Sequence, residues 1–216
     1  MDNVVLPEIT TNTIKKAVEK DGAVLLEIEI SIPKVVGGLP KKLERINGHY
    51  DEVAKRLLRY AESSLSRRAL KAYYDFFAEN GGFSPYRLEA GYEVIRNSAG
   101  ILSLYRDVSE ILPGEEAITA RHVDNWNISS WTPVFPILLR KRRKALIKAL
   151  QAQAKKRVEA GEVFYGEVKR NIGKHFNIAN CAPTEKGMAV YYPPYSLAPY
   201  GKGFLKFEVE GVFPFE

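Results

Sequence analysis

The sequence predicts an α+β fold: two small antiparallel sheets, or one shared sheet, packed by a long helix in the N-terminal half and one or two helices in the C-terminal half. Three observations predict it. Apolar and polar residues alternate through Leu26–Ile32 and Leu205–Val209, the period of half-buried strands. Apolar residues recur every three or four positions through Lys41–Ala78 and again through Ile137–Glu159, the period of amphipathic helices. Pro113-Gly114 punctuates the chain between them and divides 1–112, an N-terminal α+β half, from 113–216, a C-terminal α+β domain.

Each element has its own local reason. Thr13 to Pro33 reads as a hairpin, because Asp21-Gly22 is a two-residue turn signal and Leu26, Ile28, Ile30 and Ile32 alternate with Glu27, Glu29 and Ser31. In the following helix Leu43, Ile46, Tyr50, Val53, Leu57 and Ala61 form one stripe. Ser63-Ser64 marks a bend, since serine hydroxyls compete for backbone carbonyls, and Asn80-Gly81-Gly82 ends the helix. Tyr86 to Ile111 reads as a second hairpin turning at Asn97-Ser-Ala-Gly100, and Ala117 to Ile128 as a further strand; Trp131 to Pro136 reads as loop. Two helices follow, about Ile137–Glu159, with Leu139, Ile147, Leu150, Ala154 and Val158 inward, and about Val163–His175, split at Gly161.

At 216 residues, with 45% hydrophobic and 27% charged residues, the chain has ordinary globular composition. No run approaches the roughly 18 apolar residues of a membrane span. Met1-Asp-Asn-Val-Val-Leu-Pro-Glu lacks the basic and apolar regions of a signal peptide, so a cytoplasmic location is expected, or an extracytoplasmic one if an anchor precedes this chain. The single cysteine, Cys181, excludes an internal disulfide framework. The net charge of +6 is uneven: Leu138–Lys174 holds 12 Lys/Arg against 3 Asp/Glu, and the remainder 20 against 23.

Four groups of residues carry candidate chemistry. The basic helix 140–157, with Arg140, Arg142, Lys144, Lys148, Lys155, Lys156 and Arg157, can meet phosphates, an acidic protein or anionic head groups, or simply solvate a helix face. Arg143 falls in the apolar stripe, where its stem must snorkel or find a carboxylate. The segment Arg121–Trp131 places His122, Asp124 and Trp126 on one strand face and Arg121, Val123 and Asn125 on the other; with Trp131 it can line a concave site or fill the core. Catalysis has no local signature. There is no nucleophile elbow, His49, His122 and His175 have no metal-ligand spacing, and Cys181 sits in the apolar Ala179-Asn-Cys-Ala-Pro context of an inert thiol. No cofactor or metal is expected.

The fourth group is the closing segment, Ala182 to Phe204. Glu185-Lys-Gly187 turns the chain, Met188, Val190 and Tyr192 alternate as a strand, and Pro193-Pro194 stops it. Gly201 and Gly203 lead into the final strand. Tyr191, Tyr192, Tyr195 and Tyr200 offer rings either to sugars or a partner protein, or to the sheet edge.

This segment, GMAVYYPPYSLAPYGKGF, resembles the C-terminal signature of a bacterial domain family of unknown function. That family supplies the lysozyme-binding ectodomain of RsiV-like anti-sigma factors and an accessory domain of some peptidoglycan deacetylases. The matching positions are Gly187, Tyr192, Pro194, Tyr195, Ala198, Pro199, Tyr200 and Gly203. Where relatives carry a Gly-Gly-Ala-His loop, this chain has Gly114-Glu-Glu-Ala-Ile-Thr-Ala-Arg-His-Val-Asp-Asn-Trp126. The resemblance implies a non-enzymatic binding or sensing module whose partner is a protein or a cell-wall glycan. Its surface is expected among Arg121, His122, Asp124, Trp126, Trp131, Arg140, Arg142, Lys144, Tyr195 and Tyr200. The rivals are a hydrolase using His122 and Asp124, and nucleic-acid binding through the basic helix.

Overall fold

The computed structural model describes residues 6–37, 40–77, 83–134 and 139–211. The order of elements is β1 (Glu8–Lys20), β2 (Ala23–Val36), α1 (Pro40–Tyr60), α2 (Ser66–Phe77), β3 (Tyr86–Ser98), β4 (Ile101–Ile111), β5 (Ile118–Asn127), β6 (Thr132–Pro133), α3 (Leu139–Glu159), α4 (Val168–His175), β7 (Cys181–Pro183), β8 (Gly187–Tyr192) and β9 (Leu205–Glu210). The α+β class is as the sequence predicts. One sheet has strand order β1-β2-β3-β4-β5-β6 and the other β7-β8-β9. No helix among the described residues is long and apolar enough to cross a membrane.

The chain divides into two compact units. The first comprises Met1–Glu93, Arg106–Arg121 and Ser130–Thr132; the second comprises Val94–Tyr105, His122–Ser129 and Pro133–Glu216. Strands β3, β4 and β5 contribute residues to each.

In the first unit, Asp21 (φ 51°) and Gly22 (φ 79°) both take positive φ, the primed turn that a right-twisted hairpin needs. Pairing runs in register from Glu8↔Val36 to Val18↔Leu26, then shifts between Val18 and Glu19. That irregularity lets adjacent Leu25 and Leu26 both be buried. Leu26, Ile28, Ile30 and Ile32 face the core, and α1 and α2 pack on β2. The helical stripe continues as Ile46, Tyr50, Val53, Ala61, Leu65, Ala69 and Tyr73. From Ala61 on these steps are all four residues, and each would rotate the stripe by about 40° on a regular α-helix. A π-helical turn at Ala61–Leu65 absorbs the drift. It occurs where the serines predict a bend: Ser63 Oγ donates to the Arg59 carbonyl at 2.6 Å and Ser66 Oγ to the Glu62 carbonyl at 2.6 Å.

Strand β3 pairs with β2 in parallel, from Leu26↔Tyr86 to Ile30↔Ala90. The antiparallel alternation read from the sequence does not contain this pairing. A parallel neighbour needs a long crossover, which the α1–α2 helix supplies. The expected helix end at Asn80-Gly81-Gly82 lies outside the described residues.

In the second unit Leu146, Leu150, Ala154 and Ile172 pack with Cys181, Met188, Val190, Tyr192, Leu197, Leu205, Phe207 and Val209. The helix expected from Val163 starts only at Val168, because Phe164 turns inward and Gly166 takes φ 48°. Val158, expected inside, is exposed, since α3 ends one residue later.

Candidate functional site

The basic helix does several different things. Leu146, Leu150 and Ala154 form its buried face, and two cations lie on that same side. Arg143 places its guanidinium 5.6 Å from the centre of the Phe176 ring, an aromatic partner where the sequence suggests a snorkelling stem or a carboxylate. Arg157 grips Glu162 with two hydrogen bonds of 2.5 and 2.6 Å and donates to the Lys206 carbonyl at 2.9 Å. Its guanidinium also lies over Phe207 and Phe164. Gln153 Nε2 donates to the Glu208 carbonyl. Lys206 and Glu208 belong to β9, an edge strand, so Arg157 and Gln153 cover carbonyls that an incoming strand would otherwise use. Lys155 pairs with Glu159. Arg142, Lys144, Lys148 and Lys156 remain exposed, while the Arg140 side chain lies outside the described residues.

The Arg121–Trp131 segment is distributed between the two units. In the first, Arg121 makes a bidentate pair with Asp107, at 2.7 and 2.6 Å, and Trp131 is buried with φ 50°. In the second, His122 is exposed, Asp124 half-buried and Trp126 buried. Val123 packs on Ala182, Ala189 and Tyr191. Asn125, buried, accepts from Ser103 Oγ at 2.6 Å and donates to the Cys181 carbonyl at 3.1 Å. The two tryptophan rings therefore serve as interior packing, while His122 lies among the exposed residues.

Cys181 is fully buried, and burial pushes its thiol up to about 12. At neutral pH it has almost no thiolate, the form a nucleophile needs. Among the described residues no group of three His, Cys, Asp or Glu side chains can hold a metal ion.

The closing segment separates its tyrosines. Tyr191 is buried with its ring 5.5 Å from Tyr105. Tyr192 is fully buried, donates to the Ile172 carbonyl at 3.1 Å, and burial raises its phenol. Tyr195 is different: it is 64% exposed, and its ring lies 5.2 Å from that of Tyr200, tilted by 34°. Ser196 N donates to the Pro193 carbonyl at 3.2 Å, closing a four-residue turn with Pro194 second and Tyr195 third. Tyr195 has φ 62°, a value that this turn position normally reserves for glycine. Buried Leu197 and Ala198 anchor the loop, and the Leu197 carbonyl accepts from Tyr165 N at 2.7 Å. Tyr165 and Val163, both exposed, thereby join the same region. Spacing in the sequence singles out Tyr195 and Tyr200 but gives no sign of Tyr165, which lies thirty residues upstream of Tyr195 and is tied to the loop by a backbone bond.

Residues 137–210 match the model of a family described as a protein of unknown function, DUF3298. No curated protein matches the chain. Its fold is similar to that of a DUF3298 family member from Bacteroides fragilis NCTC 9343, with a TM-score of 0.62 and 19% identity over 94% of this chain and 90% of that one. It is similar also to a DUF3298 family protein from Pseudomonas aeruginosa PAO1, with a TM-score of 0.56 and 14% identity over 94% of this chain and 91% of that one.

Proposed function

We propose that the chain is a ligand-binding module and that its ligand docks on the closing loop of the second unit, at the Tyr195–Tyr200 ring pair. The observation that carries this reading is the conformation of Tyr195. A non-glycine residue in the left-handed region costs roughly 1–2 kcal/mol. Such strain concentrates at functional sites. Here the strained residue holds an aromatic ring out in solvent beside a second ring. Tyrosine suits recognition because it offers a large, rigid, amphipathic area at little rotamer cost. A pair of tilted rings fits the apolar face of a sugar. The likeness of Gly187–Gly203 to the RsiV-like family supports the same two partner classes, a cell-wall glycan or a lysozyme-like protein.

The test is isothermal titration of the chain with soluble N-acetylglucosamine oligomers and with lysozyme, comparing wild type, Tyr195→Gly and Tyr200→Ala. Glycine relieves the backbone and deletes the ring, so Tyr195→Gly should keep its thermal stability while affinity falls at least tenfold. Binding to neither probe, or equal affinity in all three proteins, would overturn the reading.

A further inference from the structure

We infer that α3 and α4 together form a docking strip for the phosphate backbone of double-stranded nucleic acid, independent of the tyrosine loop. The two helices pack side by side: Gln151 Nε2 donates to the Lys169 carbonyl at 2.8 Å, and Gly173 faces Ile147, whose Cγ2 would lie 3.9 Å from an added Cβ. Lys144 and Lys148 share the Gln151 side of α3, at successive helical turns. Lys169, Arg170 and Lys174 follow on α4. All five are exposed, and none makes an ion pair with an Asp or Glu among the described residues. Glu167, at the N-cap of α4, is the carboxylate nearest the strip in sequence.

Three features select a phosphate backbone. Along each helix the i,i+4 cations are separated by about 6 Å, close to the axial rise of two base pairs. The axes of two packed helices lie roughly 8–10 Å apart, which brings the two sets of cations onto neighbouring helices. Among the described residues no exposed aromatic lies on the α3 and α4 runs that carry these cations, which favours a duplex over unstacked bases of a single strand. Among the described residues of this unit the exposed apolar side chains that a bilayer would bury are Val94 in β3, Val158 in the last turn of α3, Val163 and Tyr165 in the loop before α4, and Tyr195 in the closing loop, none of them within the runs of α3 and α4 that carry these cations. Four of the five are lysines, which act as point charges and not as bidentate readers of base edges. The interaction is therefore sequence-independent.

The test is fluorescence anisotropy of an end-labelled duplex of about 30 base pairs, titrated with the full chain in NaCl from about 50 to about 200 mM. With five cations engaged, log affinity against log salt should have a slope of about −4.5. The variant Lys148→Glu/Arg170→Glu/Lys174→Glu should bind at least tenfold more weakly, with a slope of about −2. All three positions are exposed, and circular dichroism checks that the variant folds. The control variant Lys20→Glu/Lys34→Glu/Lys55→Glu changes exposed lysines of the first unit and should bind like wild type. Absence of binding at low salt overturns the inference. So does equal weakening by the control variant, or capture of the chain by anionic lipid vesicles but not by the duplex.

Discussion

The guanidinium of Arg157 lies 4.5 Å from the centre of the Phe207 ring, and 5.6 Å from that of Phe164 on the neighbouring loop. One side chain thus joins the end of α3, the loop after it and the closing strand. It combines a planar charge on two rings, a bidentate carboxylate and a backbone carbonyl. Lysine can reproduce the charge but neither the stacking nor the fork.

Arg157→Lys should therefore destabilise the protein by about 2 kcal/mol, from lost cation–π and charge-assisted hydrogen-bond energy. For a chain of this size the thermal midpoint should fall by roughly 4–8 °C, measured by calorimetry. A shift within about 1 °C would mean that the contacts are solvent-equivalent. Arg157→Ala combined with Gln153→Ala should in addition uncover the Lys206 and Glu208 carbonyls of the β9 edge. Sedimentation should then show stronger concentration-dependent association than in wild type.

How much of this was legible follows from what periodicity records. Asp21-Gly22 specified its turn because few other residue pairs tolerate positive φ twice in succession. Ser63-Ser64 marked the right place in the long helix, and the structure adds that the irregularity is a π turn required by consecutive four-residue steps. The parallel β2–β3 pair was not legible, because alternation encodes which face is buried and not the direction of the neighbour. Strand β7 is three residues long, too short for any period. Arg157 read as one more solvated charge, since a pattern of apolar residues cannot reveal a cation placed between two phenylalanines. Tyr195 was visible as an aromatic near two prolines, but turn rules place glycine where it sits, so its conformation could be learned only from the fold.

Cys181 makes a pH prediction. Burial pushes its thiol from 9.0 to about 12, so the fold favours the neutral form. Stability from this group is fully present below the unfolded value, and it is lost as pH rises from about 9 towards 12, because the unfolded chain releases a proton that the folded chain retains. Burial raises Tyr192 as well, so its phenol weakens the fold in the same direction at still higher pH. Urea midpoints from pH 8 upwards should decline less steeply in Cys181→Ala than in wild type. At pH 8 a thiol-reactive dye should label the native protein only at its rate of unfolding; rapid stoichiometric labelling would contradict the buried placement.

Gly187 and Gly201 should respond oppositely to the same change. A Cβ on Gly187 would lie 2.1 Å from the Val209 carbonyl oxygen and 3.0 Å from Glu210 Cα, both backbone atoms of the paired strand β9. Nothing flexible can yield there, so β8 and β9 must separate. Gly201 has no atom within 4 Å of an added Cβ and no positive φ. Gly187→Ala should cost about 3 kcal/mol or more, as a steric clash in a packed sheet. Gly201→Ala should leave stability unchanged or raise it by a few tenths of a kcal/mol through the lower entropy of the unfolded chain. Urea denaturation of the two variants beside wild type measures the contrast, and equal midpoints would show that the β8–β9 ribbon is not packed as closely as described.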